Sequence, residues 1–191
     1  LLPAAHKDRL QDLLKPVENA DLVLHPPEPQ GIAIHQILER YTANQDIRIT
    51  FRIDDDDALS VHFIRRVKEQ TAKVNLPGFV SFSRGLTLIH RPKRESYGAI
   101  TNLPFSSAGL VFCTTGSDTR TVYNFPHQKC FMHFATAVVP GAPAFIRNVH
   151  GENDSCAVLH GVREAEIEPA ADLLRKYAWH FPFVKNRGPR N

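Results

Sequence analysis

The feature that most constrains this chain is a strand signal that runs directly into four consecutive acids. Over residues 47–53, Ile47, Ile49, Phe51 and Ile53 alternate with Arg48, Thr50 and Arg52. Period-two alternation of this kind predicts a strand with one face buried. Asp54, Asp55, Asp56 and Asp57 follow at once. Adjacent carboxylates repel one another, so stability alone does not favour placing them at a strand end. Hard divalent cations bind oxygen ligands and cancel that repulsion. If the run continues extended, residues two apart face the same way. Asp54 and Asp56 then converge on one site, with Asp55 and Asp57 as the competing register or as caps for a following helix. A solvated loop whose acids serve only as caps is the plain alternative.

The rest of the chain suggests helices and strands in alternation, then hairpin-like strands. Helices are expected over 6–14, 31–41, 59–74 and 169–180, and a helix beginning near Pro126 is expected within 123–138. Short strands are expected over 21–25, 108–113 and 145–149. Residues 78–90 suggest a hairpin, with arms at 79–82 and 86–89 and Arg84-Gly85 at the turn. This order implies an α/β fold with a mostly parallel sheet and an added antiparallel part. Ligands of such sheets bind beyond the carboxyl ends of the strands, where the acid run sits.

Composition narrows the function. The chain has 191 residues, 42% of them hydrophobic and 23% charged, as in a globular domain. Its formal net charge is +3, and Lys185, Arg187 and Arg190 in the tail account for it. A basic footprint for nucleic acid is therefore missing. No window reaches 18 apolar residues, so no transmembrane helix is expected. Cys113, Cys130 and Cys156 lie far apart, which fits no complete disulfide framework and points to a reducing, cytoplasmic setting.

Acid-rich motifs can be tested against the run. An EF-hand loop starting at Asp54 fails at Ala58, Leu59 and Arg65. A phosphatase motif of the haloacid dehalogenase type is weakened by Ala58. Phosphate loops of the GxxxxGK[ST] and GxGxxG kinds are absent. A DxD motif at a strand end is what GT-A glycosyltransferases use. A nucleoside diphosphate leaves readily only when its charge is neutralised, and a divalent ion bridging diphosphate and carboxylate supplies that Lewis acid.

Residues 51–59 (Phe51-Arg52-Ile53, the four aspartates, Ala58-Leu59) resemble the bacterial family described as putative rhamnosyl transferases. Three further segments are similar to it: Leu2-Pro3 with Arg9-Leu10, residues 82–85, and the loop Val149-His150-Gly151-Glu152-Asn153-Asp154-Ser155. The resemblance spans roughly residues 2–183. It implies a GT-A-like α/β domain, a mixed sheet flanked by helices, over 1–183, with 184–191 a basic, flexible tail. Members of that family begin with a further strand–helix–strand segment, so the resemblance also implies an N-terminally incomplete copy.

By the same resemblance, the chain is expected to move a sugar, rhamnose among the candidates, from a nucleotide-diphospho-sugar to a glycan or lipid-linked acceptor. It would work without nucleic acid and with peripheral membrane association at most. A divalent metal, Mn²⁺ or Mg²⁺, would be its cofactor. Arg52, Asp54 and Asp55 are the candidates for binding the nucleotide sugar, and Asp56, Asp57 and His150 for the metal. Neutral imidazole suits Mn²⁺-type ions. Asn153 and Ser155 are candidates for phosphate. The general base is unassigned among Asp118, Glu152 and Asp154. The rival expectations are a metal-dependent phosphohydrolase built on the same acids, and a truncated, non-catalytic module that binds sugar or nucleotide.

Overall fold

A computed structural model describes residues 3–18, 20, 22–23, 30–42, 46–90, 95–150, 162 and 166–182. The chain divides into two units, residues 1–45 and residues 46–191. In the first unit, α1 (Ala4–Leu14) and α2 (Gln30–Thr42) match the two expected helices. The apolar stripe of α1 is open to solvent, with Leu10 and Leu13 exposed. Of the strand expected at 21–25, Leu22 and Val23 carry no strand, and the other positions lie outside the described residues.

The second unit holds two sheets. β1 (Ile47–Phe51), β6 (Leu110–Thr115), β3 (Gly78–Phe82) and β7 (Thr136–Val139) lie in that order in the first. The second has the order β2 (Ala58–Leu59), β8 (Phe145–Val149), β4 (Arg84–Ile89), β5 (Tyr97–Asn102) and β9 (Glu168–Pro169). α3 (Phe63–Thr71) and α4 (Ala170–Lys176) complete it. The fold is mixed α/β, as expected. The sheets are mostly antiparallel rather than mostly parallel: among the described strands, β3 with β7 and β4 with β8 form the parallel pairs.

Four corrections have identifiable causes. The expected hairpin over 78–90 does not form, because β3 and β4 belong to different sheets and a single residue, Ser83, separates them. Gly85 lies within a strand rather than at a turn. A Cβ there would meet the Phe145 ring at 2.2 Å, so glycine is required for that ring to lie across the neighbouring strand. The helix expected over 59–74 starts later, since Ala58 and Leu59 pair with Ile146 and Phe145 first. The helix expected from Pro126 is replaced by 3-10 turns at Val122–Asn124 and His127–Met132 and by β7. There Phe79, Phe112, Val122 and Cys130 form a core in which Phe125 and Phe134 pack, and tertiary packing overrides helical periodicity.

The first sheet is covered on both faces. Phe63 and Val67 of α3 join Val80, Phe82, Val111 and Phe145 on one side, and the Phe79–Phe112–Phe125 cluster occupies the other. Burying each such phenylalanine contributes about 1.5–3 kcal/mol. Two-sided cover also explains a departure in β1. Arg48, on the face read as polar, is buried, and its guanidinium donates to the carbonyls of Gly116 (2.8 Å) and Asp118. Thr50, on that same face, accepts the Val122 amide at 3.0 Å. In the second sheet, Leu86, Leu88, Ile146, Leu173 and Phe181 form a further core, so α4 covers it. α4 ends at Lys176, short of the expected His180. Trp179 beyond it is 79% exposed and does not pack as a core residue. Cys113 and Cys130 are buried thiols whose pKa values burial pushes up, and Cys156 lies outside the described residues. No helix among the described residues is long and apolar enough to cross a membrane.

Candidate functional site

The chain leaves β1 at Phe51 and turns at once. The Asp57 amide donates to the Asp54 carbonyl at 3.1 Å, closing a four-residue turn. The acids are therefore not extended, and the two-residue alternation expected for them does not operate. Asp54, Asp56 and Asp57 line one cavity of about 430 Å³, together with Arg52, Arg147 and His127. Asp55 is exposed and is not among the residues lining that cavity.

Strand pairing then draws the end of β8 onto this turn. β2 runs antiparallel to β8, with Ala58 opposite Ile146, which carries Asn148 back alongside Asp56 and Asp57. The Asn148 amide donates to Asp57 Oδ1 at 3.0 Å, and its side-chain Nδ2 donates to the Asp56 carbonyl. His150 Nε2 lies 3.1 Å from Asp56 Oδ2, across 94 positions of sequence. Two of the residues named as metal candidates from sequence are thus brought into contact. Behind them, Asn148 Oδ1 accepts from His90 Nε2 at 2.9 Å, and Ser96 Oγ lies 3.1 Å from His90 Nδ1. With Nε2 carrying its proton, His90 Nδ1 accepts from the serine hydroxyl, so the neutral tautomer fits both bonds. Arg52 pairs with Asp54 at 3.2 Å, which accounts for its position on the strand's polar face.

The electrostatics follow from this crowding. The Asp57 carboxyl is pushed up to about 6, first by burial and then by Asp56 and Asp54, against the Asn148 amide and Arg147, which lower it. His127 is held below the usual histidine range by burial and by Arg52 and Arg147, partly offset by Asp54. Both effects disfavour the charged imidazolium. The cavity is also lined by Phe105, a non-glycine residue at φ 65°, whose amide donates to Ser81 Oγ at 2.8 Å. Left-handed backbone at a bulky residue costs energy, and such outliers gather at functional sites.

Asp118, one of the three candidate bases, lies elsewhere. It follows β6, whose Thr115 pairs with Ile47 at the start of β1, whereas the acid turn follows the end of β1. Its carboxylate is tied to Arg120 and Thr114 and held well below the usual carboxylate range, which makes it a poor proton acceptor. The other two candidate bases, Glu152 and Asp154, lie outside the described residues, as do the phosphate candidates Asn153 and Ser155.

Several site residues gave no signal in the sequence. Arg147 and Asn148 stand in the expected strand 145–149, His90 belongs to no motif, and His127 falls in the expected helix that 3-10 turns replace. The cue that was available is proximity in sequence: Asn148 stands two residues before His150, on the same strand end.

The donor set has the chemistry of a hard-cation site. Asp54, Asp56 and Asp57 offer carboxylate oxygens, and His150 offers an imidazole. Among the described residues no three His, Cys, Asp or Glu groups already meet at ligand spacing. Mg²⁺-type ions are commonly held by one or two carboxylates, with water and substrate phosphates completing the shell, so the residues present fit such an ion.

No curated relative and no solved structure matches the chain. A family model described as putative rhamnosyl transferase matches residues 1–161, which covers most of the sequence and both sides of the acid turn. The chain therefore belongs to the putative rhamnosyl transferase family, a family of glycosyltransferase character.

Proposed function

We propose that the chain transfers a sugar from a nucleotide-diphospho-sugar to a hydroxyl of a glycan or lipid-linked acceptor, with a divalent cation, Mn²⁺ or Mg²⁺, at the acid turn. Rhamnose is the sugar the family description suggests. The observation that carries the reading is the meeting of Asp56 and His150 beside a carboxyl, Asp57, whose charge the fold disfavours. A cation bound there would neutralise the departing diphosphate as a Lewis acid.

The chain's own residues have separable tasks. Asp56, Asp57 and His150 would hold the ion, with Asn148 fixing the two aspartates from behind through its amide and its side chain. Arg52 and Arg147 bring positive charge to the same cavity and would orient the diphosphate. Asp54 would bind the nucleotide sugar while restraining Arg52. His127, lining the same cavity, would accept the proton of the acceptor hydroxyl. Calorimetric titration of UDP and dTDP with and without Mn²⁺ tests the donor site. Binding that needs the metal and is lost in Asp56→Ala is expected; binding indifferent to both would remove this reading.

A further inference from the structure

A second cavity, of about 400 Å³, adjoins the acid cavity and shares Arg52, Ser107 and His127 with it. Its other walls include Tyr123, Asn124 and Phe125. Resting on the donor-site reading above, we propose that this cavity takes the nucleobase of the donor, with Tyr123 as its stacking platform and Arg52 at the junction with the diphosphate.

The case begins with how Tyr123 is held. The 3-10 turn Val122–Asn124 is fastened at both ends: Thr121 Oγ1 accepts the Tyr123 amide at 3.2 Å, and Asn124 Oδ1 accepts the Thr121 amide at 2.7 Å. Val122 is buried, and its amide donates to Thr50 of β1 at 3.0 Å. The backbone is thus pinned to the same strand that leads to the acids, while Tyr123 stays 40% exposed. An aromatic residue on a pinned backbone, left partly in water by folding, suits a flat ligand, because the backbone need not be ordered on binding.

The junction carries the second argument. The Arg52 guanidinium lies 5.8 Å from the Tyr123 ring centroid and 3.2 Å from Asp54, so one side chain touches both cavities. Its Nε is buried and finds no hydrogen-bond partner among the described residues. With a third of its side chain exposed, Arg52 instead offers its outer guanidinium N–H groups to a phosphate oxygen at the junction. Leu110 and Phe125 give the cavity an apolar lining, and Ser107 and Asn124 give it polar edges. A ligand matching this arrangement is flat, partly apolar, edged with hydrogen-bonding groups and joined to an anion. That is the chemistry of a nucleoside diphosphate, and base–aromatic stacking tolerates any base.

The test titrates the full chain, in Mn²⁺, with UDP, dTDP, GDP, ADP and inorganic pyrophosphate. At least one nucleoside diphosphate is expected to bind about tenfold more tightly than pyrophosphate, in line with one stacked base. Tyr123→Ala should bring that ratio close to one, and Tyr123→Phe should preserve it. Pyrophosphate binding to the unaltered chain as tightly as every nucleoside diphosphate would overturn the inference without recourse to a variant. So would nucleoside diphosphate affinity that Tyr123→Ala leaves unchanged. If neither pyrophosphate nor any nucleoside diphosphate binds, the donor-site reading itself falls, and this inference with it.

Discussion

Two aspartate-bearing turns stand at opposite ends of the β1–β6 pair, and they treat the same side chain in opposite ways. At one end, Asp118 accepts from Arg120 Nη2 at 2.6 Å, from the Arg120 amide at 3.0 Å and from Thr114 Oγ1 at 2.8 Å. Its charge is saturated with donors and its pKa is driven down. At the other end, Asp57 is partly buried, with the Asn148 amide as a donor and two like charges as neighbours, and its pKa is driven up to about 6, first by burial and then by those charges. The first turn is complete within the protein. On the reading proposed above, the second would be completed by a bound cation. Carboxylate number alone does not separate the two turns; the balance of burial, donors and like charges does.

That contrast can be broken by experiment, and the largest effect is expected at the acid turn. Asp56→Ala should weaken Mn²⁺-dependent nucleotide binding by about 10–100-fold, the scale of losing a residue that holds or orients a metal. Asp118→Ala should leave that binding within about twofold, and an equal loss in both variants, read by calorimetry, would erase the distinction.

Stability should show the reverse order. Asp118→Ala removes several charge-assisted hydrogen bonds, and about 1–2 kcal/mol of stability should go with them after allowance for solvent screening. The thermal midpoint should fall by several degrees. A midpoint that does not move would mean that the Arg120 cluster is ornamental.

The smallest effect concerns pH. The folded pKa of Asp57 lies above its unfolded value, so its favourable contribution is present below about pH 4 and is lost as pH rises through about 6. Asp118 has the opposite sign: its contribution is present above the unfolded value and is lost as pH falls. In a chelator, Asp57→Asn should therefore gain about 1 kcal/mol over the unaltered chain at pH 7, after discounting for partial exposure, and nothing at about pH 3.5. Thermal melts across that range check the sign, and a gain that grows toward low pH would contradict the assignment.

Much of this architecture could be read from residues in order. The alternation of Ile47, Ile49 and Phe51 gave β1, the spacing in residues 6–14 and 31–41 gave two helices, and the acids beyond β1 drew attention to the candidate site. What could not be read depends on partners distant in sequence. Gly85 looks like a turn until Phe145 is known to cross it. Arg48 looks solvated until the Gly116 and Asp118 carbonyls are known to cover it. Asp54 and Asp56 look like a strand-spaced pair until the Asp57 amide closes the turn. His150 was accessible from sequence through its chemistry, whereas Asn148 and His90 act only through the residues they hold and have no motif of their own.

The grip of Asn148 on two neighbouring aspartates has a consequence for quality control. Its amide and its side chain reach Asp57 and Asp56 only in the register that sets Leu88 beside Asn148 and Ala58 opposite Ile146. A slip of one residue would turn the Asn148 side chain to the other face of the sheet and offer Arg147 or Val149 in its place. A misregistered chain would then lack the constellation altogether, rather than carry a loosened version of it. Competence for chemistry would switch on only in correctly assembled molecules, and errors of folding would be silent instead of promiscuous.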